Sequence, residues 1–162
     1  MNATISENSH RAIVVWLFAV CALIFIMVVL GGVTRLTHSG LSIVEWQPIV
    51  GTLPPLTETQ WRETFAQCHP TSQYQTVNRD MDLSGFKGIF WLEYFHRLLG
   101  RMIGLVFLLP FLYFLARKQI DRVLFPKLLI LFALGGAQGL LGWLMVKSGL
   151  VDVPRVSPYR LT

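Results

Sequence analysis

The chain has 162 residues, of which 53% are hydrophobic and 14% are charged, and its net charge is +5 at pH 7. Soluble globular domains carry about 25% charged residues, so this composition excludes an ordinary soluble domain and indicates an all-α integral membrane protein. Because the basic residues flank apolar runs, we interpret the positive charge as a topology signal and expect no nucleic-acid partner.

The first predicted membrane span follows a short polar tail. Residues 1–11 form that tail, and residues 12–33 run for 22 positions without a charge. A span needs about 20 apolar residues, so 12–33 is predicted to be the first transmembrane helix. No small-residue cleavage site follows it, so we expect it to remain as an anchor and not to be removed as a signal peptide.

A long polar segment comes next. Residues 34–85 are rich in Gly, Pro, Ser and Thr and are too polar to cross a membrane, so they are predicted to form an ordered outer loop. Within this loop, Thr57–Gln67 is predicted to be a short amphipathic helix capped by Thr57 or Thr59, since two aromatic residues fall four positions apart on one face.

The cysteines and loop histidines receive weaker interpretations. Cys21 lies in an apolar run and Cys68 in polar loop sequence, so no internal disulfide is expected. His38 is a candidate ligand, although solvation is the simpler reading of a lone loop histidine, and no role is assigned to His69.

Two further spans complete the pattern. Residues 86–116 are predicted to be the second transmembrane helix, although the charge-free part, Met102–Ala116, has only 15 residues. This helix crosses only if the polar turn before it also lies at membrane depth. Residues 117–127 hold four Lys or Arg, 128–146 are 19 residues without a charge and form the third predicted helix, and 147–162 are a polar tail.

The charge distribution predicts the topology. Lys and Arg are enriched in short cytoplasmic loops, and the basic 117–127 loop is the best cytoplasmic candidate. Three spans then place the 1–11 tail in the cytoplasm and both the 34–85 loop and the 147–162 tail outside.

The entrance of the second helix carries a polar stripe, defined as the residues that recur there at helical spacing: Glu93, His96, Arg97, Gly100, Arg101 and Gly104. At about 3.6 residues per turn these positions share one face. An ionisable residue at membrane depth costs a few kcal/mol and normally faces a bundle interior or cavity. The two glycines would let a large flat group lie close to the backbone.

A heme between helices would use every ionisable member of the stripe. A neutral imidazole is a common axial ligand of heme iron, which suits His96. Arg97 and Arg101 would pair with the propionates, and Glu93 would handle protons or steady an intermediate.

Less specific interpretations stay open. Arg97 and Arg101 would also suit snorkelling to lipid headgroups, whereas a metal site without porphyrin is disfavoured because Glu93 and His96 supply only two ligands. On the third helix, Gly135, Gly139 and Gly142 share a small-residue face with Gln138, and this face fits helix packing at least as well as cofactor contact.

Four ordered motifs carry a family resemblance. They read GGVTRLTHSGLSIVEWQPIVGTLPPL, FKGIFWLEYFHRLLGRMIGLVFLLPFLYF, GGAQGLLGWLMVKSGL and VSPYRLT. Together they resemble the heme A synthases, in the branch found in alphaproteobacteria and mitochondria. The resemblance implies eight transmembrane helices in two four-helix halves. It also implies oxidation of a methyl group of heme O to a formyl group, which supplies heme A to cytochrome c oxidase.

The resemblance also implies residue roles. His96 would be an axial ligand of heme iron, Glu93 the catalytic carboxylate beside it, and Arg97 and Arg101 contacts of the porphyrin. One half would hold the substrate heme O and the other a heme b cofactor, with this chain on the substrate side. The family places its N-terminus inside and its heme sites towards the outer face, in agreement with the charge pattern.

The sequence departs from the family pattern in two places. A histidine closely follows the motif that resembles SPYRLT in the family, but this sequence stops at Thr162. We therefore expect three helices of a larger bundle, truncated before the fourth and inactive alone. The branch with a cysteine pair in its outer loop has two cysteines close together, whereas Cys68 stands alone, so no redox role is expected for it.

The implied partners are heme O, heme A, heme O synthase, assembly factors of cytochrome c oxidase, the lipid bilayer and further copies of the chain. The implied location is the bacterial inner membrane, or the mitochondrial inner membrane in a eukaryote. Two alternatives remain, namely a non-enzymatic b-type membrane cytochrome and a structural or assembly subunit without heme. Glu93 separates the first from the enzyme, because an electron carrier has no evident need for that carboxylate.

Overall fold

The computed structural model describes residues 7–44, 53–71, 74–75 and 78–151, with side chains up to Lys147. Over these residues the chain is helical and contains no strand, which confirms the all-α class. The helices are α1 (Glu7–Leu36), α2 (Glu58–Cys68), α3 (Leu83–Ala116) and α4 (Leu124–Val151).

The three long helices are the candidate membrane spans. Helix α1, helix α3 and the Leu124–Lys147 part of α4 are long and apolar enough to cross a bilayer. Each helix starts before its predicted span and α1 and α4 also end after theirs, because an apolar run marks only the part that fits hydrocarbon. Of the predicted tails, residues 1–6 and 152–162 lie outside the described residues, whereas 7–11 and 147–151 are helical.

Helix α1 ends in a left-handed turn at a residue other than glycine. His38 has a φ of 52°, and the Ser39 amide donates to the Thr34 carbonyl at 2.9 Å. This is the Schellman arrangement, which satisfies carbonyls left over at a helix end. Lys118 also has a φ of 52° and ends α3 in the same way. His38 is therefore the turn residue that directs the chain out of α1.

Helix α2 is stabilised by a capping box. The Gln60 amide donates to Thr57 Oγ1 at 3.3 Å, and the Thr57 amide donates to Gln60 Oε1 at 3.1 Å. Each side chain thus satisfies a backbone donor that the first turn leaves over. The cap is Thr57, and Thr59 lies inside the helix.

The chain divides into two compact units. The first combines Met1–Val28 with Leu99–Gly139, and the second combines Val29–Leu98 with Leu140–Thr162. The core of the first unit is apolar and largely aromatic, and its buried residues are Ile13, Trp16, Val20, Phe107, Phe111, Phe114 and Leu128.

A hydrogen bond repairs a backbone defect in the first unit. Pro110 lies inside α3 and has no N–H, so the Val106 carbonyl lacks its normal helical donor. The indole Nε1 of Trp16 donates to that carbonyl at 2.8 Å. A proline is tolerated in a span when a neighbouring group satisfies the freed carbonyl, and α1 supplies that group here.

The core of the second unit joins α2 to the start of α3. Its buried members are Trp61, Cys68, Phe86 and Phe90. Cys68, predicted to lie in polar loop sequence, is the last residue of the short α2 helix within that loop and is buried in an aromatic core. Both cysteines are free thiols.

The environment of Cys68 suppresses ionisation of its thiol. Burial raises its pKa, the hydrogen bond with the Thr71 side chain opposes that rise, and the charge of Glu93 adds to it. Because the thiolate is the reactive form of cysteine, Cys68 is poorly suited to redox chemistry in this fold.

Candidate functional site

Glu93 is the buried centre of the polar stripe. Its side chain lies on α3 in the second unit and the residue is only 3% exposed. Oxygen Oε2 accepts from the Ser42 amide at 2.7 Å, from Ser42 Oγ at 2.6 Å and from the Ile43 amide at 2.9 Å. Oxygen Oε1 accepts from the Arg97 guanidinium. Each of these four contacts is a donation to the carboxylate.

The donors come from the short segment that follows α1. The turn at His38 leads directly into this segment, where Ser39 and Ser42 are both fully buried. Ser39 Oγ donates to the Thr34 carbonyl at 3.1 Å and ties the segment to the end of α1. Consecutive backbone N–H groups that converge on one oxygen form an anion-binding nest, and here the anion is Glu93.

Arg97 connects the carboxylate to the same segment. Besides pairing with Glu93, its guanidinium donates to the Ile43 carbonyl at 3.0 Å. The Arg97 side chain is 12% exposed. A charge buried at membrane depth requires a partner, and each of these two residues provides one for the other. The clamp, defined as Glu93, Arg97, Ser42 and Ile43, is thus internally satisfied.

His96 lies one turn from Glu93 and faces a glycine. Its side chain is half-buried, and a Cβ atom added to Gly31 of α1 would lie 3.1 Å from His96 Nε2. The imidazole therefore occupies space that a side chain larger than that of Gly31 would fill. A half-buried imidazole with a glycine beside its Nε2 fits the donor chemistry of an axial heme ligand.

The other members of the stripe lie on the continuation of α3 in the first unit. A Cβ added to Gly100 would meet the methyl group of Met27 at 3.3 Å, and one added to Gly104 would meet nothing within 4 Å. Arg101 is half-buried. Their assignment as cofactor contacts stays a prediction.

Other candidate groups find structural explanations. Among the described residues, no group of three or more His, Cys, Asp or Glu could hold a metal ion. His69 packs against the rings of Phe65 and Tyr74, each with a centroid distance of 4.6 Å. On α4, a Cβ at Gly135, at Gly139 or at Gly142 would meet nothing within 4 Å. The predicted roles of this face in helix packing or cofactor contact therefore stay predictions.

Ser42 is the site residue that the sequence did not reveal. Sequence analysis offered no chemical role for it, and it lies 51 positions from its partner Glu93. A serine in a loop is more often a turn or cap residue. No local pattern connects it with α3, so only the fold brings it to the carboxylate.

Comparison with known proteins identifies relatives over nearly the whole chain. Residues 14–162 match the family described as Cytochrome oxidase assembly protein (COX15-CtaA). A heme A synthase of Nitrosospira multiformis is 64% identical over 94% of this chain and 43% of its own length. One of Nitrosomonas eutropha is 60% identical over 96% of this chain and 44% of its own length.

The predicted resemblance is confirmed by these relatives. The heme A synthase of Caulobacter vibrioides is 50% identical over 99% of this chain and 47% of its own length. The chain thus spans less than half the length of the curated relatives that it matches. No solved structure matches the chain.

Proposed function

The chain belongs to the cytochrome oxidase assembly protein family, and on that basis we propose that it is the N-terminal portion of a heme A synthase. The whole protein would oxidise a methyl group of heme O to a formyl group and supply heme A to cytochrome c oxidase. The observation that carries the proposal is the buried Glu93 carboxylate, held by four donations one helical turn from His96.

The proposed heme contacts all lie on α3. His96 would ligate the iron, with Gly31 leaving space at its Nε2. Arg101 would pair with a propionate, and Gly100 and Gly104 would let the ring lie close to the helix. Arg97 already pairs with Glu93. Its positive charge would therefore attract the porphyrin propionates in addition to any direct contact with the ring.

Glu93 would act as a preorganised negative charge. A carboxylate has about four acceptor positions, two on each oxygen. Three donors occupy Oε2, whereas among the described residues Oε1 receives Arg97 and keeps acceptor capacity. Fixed charges in a water-poor site stabilise charge that develops during a reaction without having to reorganise. Oε1 is therefore the oxygen placed to assist oxidation of the methyl group.

Further parts of the proposal concern the complete protein. A bound heme b would supply the one-electron chemistry that carries electrons away from the substrate. The N-terminus would lie in the cytoplasm and the clamp towards the outer face of a bacterial inner membrane. Heme O synthase and assembly factors of cytochrome c oxidase would deliver the substrate and receive the product.

Heme analysis of the purified protein tests this function. The protein from its complete reading frame would be purified in detergent as wild type, His96→Ala, Glu93→Gln and the control His69→Phe, and analysed as pyridine hemochromes. We expect heme O and heme A with heme b in the wild type and the control. His96→Ala should lose O and A, and Glu93→Gln should hold heme O without converting it.

Two other results would contradict the proposal. Heme b alone, lost in His96→Ala and unaffected by Glu93→Gln, would identify an electron-transferring cytochrome. The absence of heme from the wild type would leave the stripe as a packing feature of the membrane boundary.

A further inference from the structure

Ser42 donates two hydrogen bonds to Glu93, which is more than its place in a loop turn requires. Its amide and its hydroxyl both donate to the same oxygen, Oε2, and the next amide in the chain joins them. The hydroxyl also lies 3.3 Å from the Ser39 carbonyl and 3.5 Å from the Ile89 carbonyl. A hydroxyl has one proton, and the 2.6 Å contact to the carboxylate is the shortest of the three.

The two carboxylate oxygens of Glu93 have different hydrogen-bond partners. Oε2 is occupied by the segment after α1, whereas among the described residues Oε1 receives Arg97 and keeps acceptor capacity for a ligand. A freely rotating glutamate would exchange its two oxygens and sample several rotamers. With Oε2 held at three points, the carboxylate has one orientation relative to the next turn of α3, where His96 lies.

We propose that Ser42 is a positioning residue, which orients Glu93 so that Oε1 alone serves the reaction. Ser42 acts through Glu93 and does not touch the substrate. The proposal rests on the function proposed above, in which Glu93 assists oxidation of heme O. It places part of the reaction machinery in the segment after α1, outside the helix that carries Glu93 and His96.

A matched pair of serines allows a clean test. Ser42 and Ser39 are both fully buried in the same segment, and alanine at either position removes one hydroxyl without adding bulk. Ser39 Oγ donates to Thr34 and lies 2.9 Å from Thr37 Oγ1. Ser39→Ala therefore reports the effect of loosening the segment, whereas Ser42→Ala also removes one of the three donations to Glu93 Oε2.

The experiment uses the heme-loaded protein from its complete reading frame, with glutamate labelled with carbon-13. The carboxylate stretch of Glu93 is identified by infrared spectroscopy as the band that Glu93→Gln removes. The heme A to heme O ratio is measured on the same samples. We expect Ser42→Ala to shift the Glu93 band and to lower the conversion of bound heme O by about tenfold, by analogy with the loss of a hydrogen bond that orients a metal ligand. Total heme should stay constant, and Ser39→Ala should change neither quantity.

The outcomes separate this inference from the function on which it rests. An unshifted Glu93 band in Ser42→Ala would overturn the positioning role, whatever the activity. Equal losses of conversion in Ser39→Ala and Ser42→Ala would also overturn it, since they would reflect the fold of the segment alone. Full conversion by Glu93→Gln would instead overturn the proposed role of Glu93, while a band shift in Ser42→Ala would still establish the contact.

Discussion

The two compact units satisfy buried polar groups in different ways. In the first unit, the Trp16 indole supplies one neutral hydrogen bond to the carbonyl that Pro110 leaves without a donor. In the second unit, four donations converge on a single charged group, Glu93. The first arrangement completes a helix, whereas the second holds a charge that packing does not require.

The difference supports the proposal that the chemistry lies in the second unit. A buried ion pair contributes little net stability compared with apolar side chains of similar size. In the first unit, α1 and α3 pack through an aromatic core, with one hydrogen bond from Trp16 to the carbonyl that Pro110 leaves without a donor. The charges in the second unit are therefore better explained by a reaction than by folding, and the variants below are designed to test that contrast.

Removal of the Glu93 charge should have the largest effect. Glu93→Leu would leave Arg97 without its carboxylate and the Ser42 and Ile43 amides without their acceptor, and loss of one partner of a buried pair costs about 3–5 kcal/mol. Thermal unfolding in detergent should show a large drop in Tm. Glu93→Gln, which keeps an amide oxygen, should fall between Glu93→Leu and the wild type. Equal stability of Glu93→Leu and the wild type would show that the clamp does not form.

A methyl group at position 31 should disturb His96. Gly31→Ala would place its Cβ 3.1 Å from His96 Nε2, and overpacking of this kind costs about 1–3 kcal/mol. We expect an altered heme absorption spectrum and a lower heme content. Gly32→Ala is the control, because a Cβ there meets nothing within 4 Å. Identical spectra for the two variants would exclude close contact between Gly31 and the imidazole.

The Trp16 hydrogen bond should matter only while Pro110 is present. Trp16→Phe should cost about 1 kcal/mol more in the wild-type background than in Pro110→Ala, where the alanine N–H restores the helical donor. A double-mutant cycle on unfolding in detergent measures this coupling. Heme content should stay normal in all four proteins. Additive effects would show that the indole does not replace the missing donor.

The smallest effect is expected at His38. A left-handed conformation costs residues with a side chain about 1 kcal/mol relative to glycine, so His38→Gly should keep or slightly raise Tm and leave the heme spectrum unchanged. Loss of heme from this variant would instead identify His38 as a ligand and would extend the site beyond α3.

Features that depend on neighbours in sequence were predictable. The three spans follow from apolar runs, the cap of α2 was narrowed to Thr57 or Thr59 and is Thr57, and the stripe follows from helical spacing. Each is local, because the residues concerned lie within one helix or at its end. The helix bounds were less accurate, since helices continue into polar sequence beyond the hydrocarbon-spanning part.

The tertiary structure alone decided which distant residues meet. Ser42 and Glu93 are 51 positions apart, and Trp16 and Val106 are 90 apart. The sequence by itself indicated that a carboxylate, an imidazole and two guanidinium groups share one face of a largely apolar helix. It did not show which donors would balance those charges, because hydrogen bonds between segments depend on how the helices pack and not on the spacing within any one of them.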